Sequence, residues 1–262
     1  MNWLSQCREW VRKYDPVTRE HLDSPTLHHY SFMRRLSERL PDNAIIVSDT
    51  GGNVIQMGHC FQSKTGQRIF TSNGNTPMGF AMCGAIGAWF AQPERPIICI
   101  IGDGGFQLDI QELQTIKHYK VPVKIFVINN LCLGNTAGFQ IQNGKKPLAC
   151  GPDGYSAPDF CKIADAYGLE RYRISGRDDA DHIIGHVLAF DDEAVVCDVL
   201  HPYFCDYKPR MQLWDADTTE MFPPLPPDEY AANMVAVQPL DGWQERQKRY
   251  KEVKDVEARI TP

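Results

Sequence analysis

Two short polar stretches stand at the ends of apolar runs. Ile97-Ile98-Cys99-Ile100-Ile101 leads into Gly102-Asp103-Gly104-Gly105, and Val121 to Ile128 leads into Asn129-Asn130. Between them lies a helix-like segment, Leu108 to Tyr119. The order is strand, glycine-rich turn, helix, strand, and in a parallel unit both strands end at the same sheet edge. Asp103 and Asn130 then sit side by side there. A carboxylate and an amide oxygen are hard ligands suited to Mg²⁺ or Ca²⁺. The bare backbone of Gly104 and Gly105 at a helix start suits a phosphate. The pattern reads as a divalent ion and a phosphate clamped together.

The elements that must hold these groups follow the same rhythm. Ala44 to Val47 predicts a strand that delivers Ser48-Asp49-Thr50-Gly51-Gly52-Asn53, a small-residue turn suited to phosphate, to the same edge. Arg68 to Thr71 predicts a short strand, followed by a helix rich in small residues from Gly79 to Trp89 that can lie close to the sheet or to another subunit. Asn143 to Tyr155 reads as a mobile loop near the site, Pro158 to Gly168 as a helix with Gly168 closing it, Glu170 to Ile174 as a strand, Asp179 to Phe190 as a helix and Ala194 to Leu200 as the last strand. This alternation predicts an α/β fold, a parallel sheet with helices on both faces. Before it, Trp3, Leu4, Cys7, Trp10, Val11 and Tyr14 mark one apolar face of an N-terminal helix that should dock on another surface. Asp15 to Pro25 reads as a linker. Ser24-Pro25 is a candidate helix start, with Tyr30, Met33, Leu36 and Leu40 as the buried stripe and with His28 and His29 in its first turn, solvated or structural rather than catalytic. The tail from Lys208 is irregular and Pro-rich and should wrap the body or a partner, with a charged helix over Gln244 to Ala258. The expected divisions are 1–25, helix and linker; 26–207, the binding domain; and 208–262, the tail.

A net charge of −6 gives no reason to expect nucleic acid or an anionic membrane. No apolar run is long enough to span a bilayer, and the N-terminus lacks a signal-peptide pattern. Nine cysteines without a Cys-x-x-Cys, several of them inside apolar runs (Cys83, Cys99, Cys197), read as buried reduced thiols in a cytoplasmic protein.

Gly102-Asp103-Gly104, a gap of twenty-four residues and then Asn129-Asn130 resembles the cofactor signature of thiamine-diphosphate enzymes, and the run from Gly102 to Thr115 is similar to the acetolactate synthase branch. The likeness spans roughly Leu27 to Tyr203. It implies thiamine diphosphate and Mg²⁺ as cofactors, with Asp103, Asn130 and the backbone carbonyl of Cys132 as metal ligands. It implies that Thr50, Gly52 and Asn53 contact the diphosphate, and that Gly102, Gly104, Gly105, Leu133 and Gly134 complete the cofactor pocket. Met78 becomes the bulky residue that holds the cofactor bent, which places its base next to the proton it removes. The family usually has Gly two residues before that Met. This chain has Thr76, so a pyrimidine contact there would come from the backbone carbonyl. Asn135 and Thr136 replace apolar residues of true acetolactate synthases and would face the substrate side. Glu112 and His59 receive no catalytic role.

The resemblance implies a lyase or carboligase that decarboxylates a 2-oxo acid and passes the product to an acceptor, the thiazolium accepting the electrons when carbon dioxide leaves. The Pro158 to Gly168 region and the tail resemble acetolactate synthase-like proteins of surface-sugar pathways, which points to a polar acceptor. The family's catalytic Glu comes from a separate pyrimidine-binding domain, and no residue of this chain matches it. The chain therefore reads as the diphosphate-binding subunit of a split enzyme, paired with a pyrimidine-binding partner in a two-plus-two assembly through the Gly79–Trp89 helix and the Trp3/Trp10 face. Alternatives are a sulfopyruvate- or phosphonopyruvate-type decarboxylase subunit, the beta subunit of a 2-oxo acid oxidoreductase (disfavoured by the absent paired cysteines), or a non-catalytic cofactor-binding remnant.

Overall fold

The structure is a computed structural model and describes residues 2–201, 207–211, 221–222 and 224–233. Six strands form one sheet: β1 (Ile45–Ser48), β2 (Arg68–Phe70), β3 (Ile97–Gly102), β4 (Lys124–Asn129), β5 (Glu170–Ile174) and β6 (Val195–Leu200). They are ordered β2-β1-β3-β4-β6-β5, and every pairing is parallel. The α/β reading holds. The isoleucine-rich β3 shows why the sheet needs cover on both sides. Ile98 and Ile100 point into one core with Phe126 and Phe32, while Ile97, Cys99 and Ile101 point into the other with Val127 and Phe106.

Eleven helices are described: α1 (Trp3–Lys13), α2 (Arg19–Asp23), α3 (His29–Arg39), α4 (Gly52–Cys60), α5 (Phe80–Ala91), α6 (Asp103–Leu108), α7 (Glu112–Tyr119), α8 (Gly134–Gln142), α9 (Phe160–Ala166), α10 (Arg177–Leu188) and α11 (Pro227–Asn233). The first core lies under α3, α4 and α10, and the second under α5, α7 and α9. Gly84 of α5 would bring a Cβ within 3.0 Å of Val47, so the small-residue helix does lie close to the sheet.

Several local expectations change. The single helix expected from Leu108 is two helices, and the first begins at Asp103 itself, with Gly102 in the N-cap position. The expected linker after α1 contains α2, capped by the Thr18 side chain, and a buried Val17. α3 begins at His29 rather than at Ser24-Pro25, because the His28 ring accepts the Tyr30 N–H and caps it. Cys83 is exposed, not buried, because it falls on the outer face of α5; Cys99 and Cys197 are buried as expected. α1 buries none of its residues, and Trp3 remains 67% exposed. Its contacts to α11 are polar, from Trp10 Nε1 to Asn233 and from Lys13 to Glu229. In the tail, β7 (Arg210–Met211) and β8 (Met221–Phe222) form a two-stranded antiparallel ribbon. The helix expected over Gln244 to Ala258 lies outside the described residues.

The strand order locates the site before any side chain is considered. From β1 the chain passes through α4 to β2 on one side, and from β3 it passes through α6 and α7 to β4 on the other. Connections that diverge from neighbouring parallel strands open a crevice at their C-terminal ends.

Candidate functional site

That crevice is a cavity of about 330 Å³, lined by the turns after β1, β3 and β4. Gly102 pairs with Ile128, so Asp103 and Asn130 leave adjacent strands at nearly the same level. Asp103 is 3% exposed; its Oδ1 accepts the Gly104 N–H at 2.9 Å, and its Oδ2 has no hydrogen-bond partner among the described residues. Burial pushes this carboxyl up to about 7, opposed by the Gly104 N–H, the Tyr155 side chain and the backbone of Leu131 and Cys132. A buried carboxylate of this kind is satisfied by a cation, which reverses the cost of ionisation. Asn130 Oδ1 accepts the Cys132 N–H at 3.3 Å, and the Cys132 carbonyl accepts the Gly134 N–H at 2.9 Å. A carbonyl retains a second lone pair for a metal. The donor set is all oxygen and suits Mg²⁺.

The opposite wall suits an anion. α4 and α8 both begin on the cavity, and neither has a side-chain cap on its first turn. Their leading N–H groups carry partial positive charge and lack intrahelical partners. Thr50, Gly52, Asn53, Leu133 and Gly134 line this wall, as do Asn135 and Thr136. Gly104 and Gly105 lie where no side chain fits: a Cβ would stand 2.9 Å from Met78 Cε and Leu133 Cδ2 at the first, and 2.0 Å from Asp49 Oδ2 at the second. The residues present therefore fit a diphosphate held by a divalent ion. Met78 is 42% exposed over Gly104, and Thr76 lines the same cavity with φ 40°. Every residue named from the sequence as cofactor-binding, namely Thr50, Gly52, Asn53, Thr76, Met78, Gly102, Asp103, Gly104, Gly105, Asn130, Cys132, Leu133 and Gly134, is gathered here. Glu112 and His59 are elsewhere: Glu112 accepts from Thr115, and His59 pairs with the Tyr30 hydroxyl.

Three supporting residues received no individual role from the sequence. Asp49 is buried at the end of β1 and accepts the N–H groups of Gly79 and Ala81, at 3.1 and 3.4 Å. It thereby ties the start of α5, and Met78 just before it, to the sheet. Burial raises its carboxyl, and those two hydrogen bonds work the other way. Tyr155, from the loop expected near the site, accepts from Gln107 Nε2 at 2.8 Å and faces the Asp103 carboxylate; burial and that neighbouring charge raise its hydroxyl. Asp198 is the third. It accepts from Asn129 Nδ2 and Arg173 Nε, both at 2.9 Å, and so fixes the end of β4 from which Asn130 projects. None of these partners is close in sequence, so no periodicity or motif reveals them.

A parallel α/β sheet with a switch-point crevice lined by uncapped helix N-termini and oxygen donors is the architecture of a class of nucleotide- and diphosphate-binding proteins. Within it, residues 49–199 match the thiamine pyrophosphate enzyme, C-terminal TPP binding domain family, and the chain belongs to that family. It is 38% identical over 168 residues to the probable acetolactate synthase large subunit of Methanococcus aeolicus, covering 63% of this chain and 26% of that protein. It is 30% identical over 242 residues to the probable acetolactate synthase large subunit of Methanocaldococcus jannaschii, covering 89% and 37%. It is also 29% identical over 164 residues to the acetolactate synthase isozyme 2 large subunit of Escherichia coli, covering 61% and 29%. The chain thus spans between 26% and 37% of the length of these relatives.

Proposed function

We propose that this chain, through residues 26–207, forms the diphosphate- and metal-binding part of an acetolactate synthase-like lyase or carboligase acting on a 2-oxo acid. The observation that carries the reading is the convergence of a buried, half-unpartnered Asp103 carboxylate with two uncapped helix N-termini on one cavity. Bound thiamine diphosphate supplies an electron sink for the bond that loses carbon dioxide. In this reading Asp103, Asn130 and the Cys132 carbonyl hold Mg²⁺, and Thr50, Gly52, Asn53, Gly104, Gly105, Leu133 and Gly134 receive the diphosphate. Met78 supports the bend of the cofactor, and the Thr76 carbonyl faces its pyrimidine. Asn135 and Thr136, both exposed on the cavity rim, favour a hydroxylated acceptor over an apolar one.

No glutamate lines the cavity among the described residues, and its two aspartates are committed, Asp49 to backbone N–H groups and Asp103 to the metal. The carboxylate that acts on the pyrimidine would then come from a pyrimidine-binding domain, in an assembly of two copies of each. The eight described cysteines are all free, which suits a reducing cytoplasm. No helix among the described residues is long and apolar enough to cross a membrane. The test is to assay the purified chain with pyruvate, thiamine diphosphate and Mg²⁺, alone and with a pyrimidine-binding partner. Cofactor binding without turnover is expected for the chain alone, and turnover with the partner. Sustained decarboxylation by the chain alone would overturn the two-part reading.

A further inference from the structure

The outer face of α10 carries a second arrangement of metal-type ligands, away from the crevice. His182 and His186 stand four residues apart, which places them one above the other on a single helix face. Their rings cross at 89° with centroids 4.3 Å apart, and the two Nε2 atoms are closer still, at 3.1 Å. The nitrogen edges therefore converge on one point. Both side chains are exposed, so that point is open to solvent. Each ring is the other's hydrogen-bond partner, one Nε2 donating and the other accepting. His186 is also backed by the sheet edge: Tyr172 of β5, the outermost strand, lies parallel to its ring within 4° at 6.2 Å, and the same tyrosine meets Phe190 at 5.9 Å.

This spacing suits one shared cation. Two nitrogens bound at about 2.0–2.1 Å stand roughly 2.9 Å apart at a right angle and roughly 3.3 Å apart at the tetrahedral angle. The 3.1 Å between the two Nε2 atoms lies between these values. Imidazole is a ligand of Zn²⁺, Ni²⁺ and Cu²⁺, whereas Mg²⁺ takes oxygen. Asp178, one turn before His182, is paired with Arg177 at 3.4 Å, and among the described residues no third His, Cys, Asp or Glu completes a cluster.

We propose that His182 and His186 form a two-imidazole site for a divalent transition cation. The ion replaces the hydrogen bond that the two rings share, the proton of the donating ring moving to its Nδ1, and water fills the rest of the coordination shell. Neither histidine lines the crevice, so this site is independent of the reading given to that cavity. With two protein ligands the ion is exchangeable, and by bridging adjacent turns it pins α10 where the helix covers the edge strand.

The test is titration of the full chain with Ni²⁺ and with Zn²⁺, each alone, by calorimetry and by NMR of the histidine ring signals. Ni²⁺ is included because it suits imidazole, while the exposed Cys83 thiol also attracts Zn²⁺. The signals of His182 and His186 should respond together to either ion and not to Mg²⁺. His182→Ala and His186→Ala should each lower the Ni²⁺ affinity about tenfold or more, because one ring alone lacks the gain from a second ligand held at high local concentration. His182→Gln keeps a polar side chain of similar reach and carries the test if an alanine variant does not fold. Unchanged affinity in both variants overturns the inference. So does a loss in only one of them, which would leave a contact to a single imidazole. The absence of any response of these two rings at millimolar ion overturns it as well, as does an equal response to Mg²⁺.

Discussion

Thr76 holds a backbone conformation, φ 40°, that a β-branched residue adopts only under strain. This gives a physical reason for the glycine that the resembling family usually carries at this point. Thr76→Gly should release more strain than it adds in unfolded-state entropy, for a net gain of about 1 kcal/mol and a rise of about 2–4 °C in Tm. A fall in Tm would show that the side chain is needed here. At Asp103 the expectation concerns binding. If Asp103 and Asn130 hold the metal as proposed, Asp103→Ala removes one of its two side-chain ligands and leaves the diphosphate charge uncompensated, so Mg²⁺-dependent binding of thiamine diphosphate should vanish in calorimetry. Met78→Ala should act differently, because the anion cradle remains: activity with the partner should fall more than cofactor affinity. Equal losses would count against its supporting role. The residue types at Asp103 and Asn130 were legible in the sequence because their chemistry and spacing are local to one strand–helix–strand unit. The supporting contacts of Asp49 and Asp198 were not, because they join segments far apart in the chain.

Among the elements, α3 and its surroundings carry a cluster of histidines whose burial has a measurable cost. His28 caps α3 through a ring nitrogen that must be unprotonated to accept the Tyr30 N–H. His201 follows β6, is buried, and bonds the Leu27 carbonyl at 3.0 Å through Nδ1. Burial lowers both to about 4, with nearby His21 and His201 adding to the effect at His28. Between pH 6.5 and 4 the unfolded chain therefore binds more protons than the folded one. Stability is fully present above 6.5 and is lost as pH falls, by up to about 1.4 kcal/mol per pH unit for each histidine. Urea unfolding at pH 7 and pH 5 should show this loss, and His201→Gln should make it shallower. Equal stability at the two pH values would mean that these rings are not held neutral. From the sequence, His28 and His29 take a solvated or structural role in the first turn of this helix, and the structure makes it a structural one. His28 also stacks on His21, at 4.1 Å, a ring that comes from α2, in a stretch that shows no periodicity.

For the whole molecule, the question is which surfaces the proposed partner covers. α5 packs Ala81, Met82, Ala85 and Ile86 into the core and leaves Cys83, Gly87 and Phe90 outside. A Cβ at Gly87 meets nothing within 4 Å, so a longer side chain there disturbs no contact within the chain. Gly87→Gln should raise the stability of the isolated chain by about 0.5–1 kcal/mol through better helix propensity. If this face seats the pyrimidine-binding domain, the same substitution should weaken association by tenfold or more while leaving Mg²⁺–pyrophosphate binding intact. Sedimentation of the mixed components reads the first effect and calorimetry the second. Undiminished association would move the interface elsewhere, with the exposed Trp3 on α1 as the next surface to examine.

The sequence by itself determined the alternation of strand and helix, the two-faced burial of the isoleucine-rich strands, and the hard-oxygen and glycine chemistry at their ends. Each depends on residues a few positions apart, where side-chain period and backbone preference act directly. Only the tertiary structure decided that the helix after β3 starts at Asp103, that Cys83 faces outward while Cys99 and Cys197 do not, and that α3 begins at His29 with His28 as its cap. It also decided which distant groups complete the site: Asp49 reaching thirty residues forward to Gly79, Asp198 holding Asn129 from another strand, and Tyr207 filling the space that Gly52 leaves. These pairings follow from strand order and helix docking, which bring together residues that no local pattern relates.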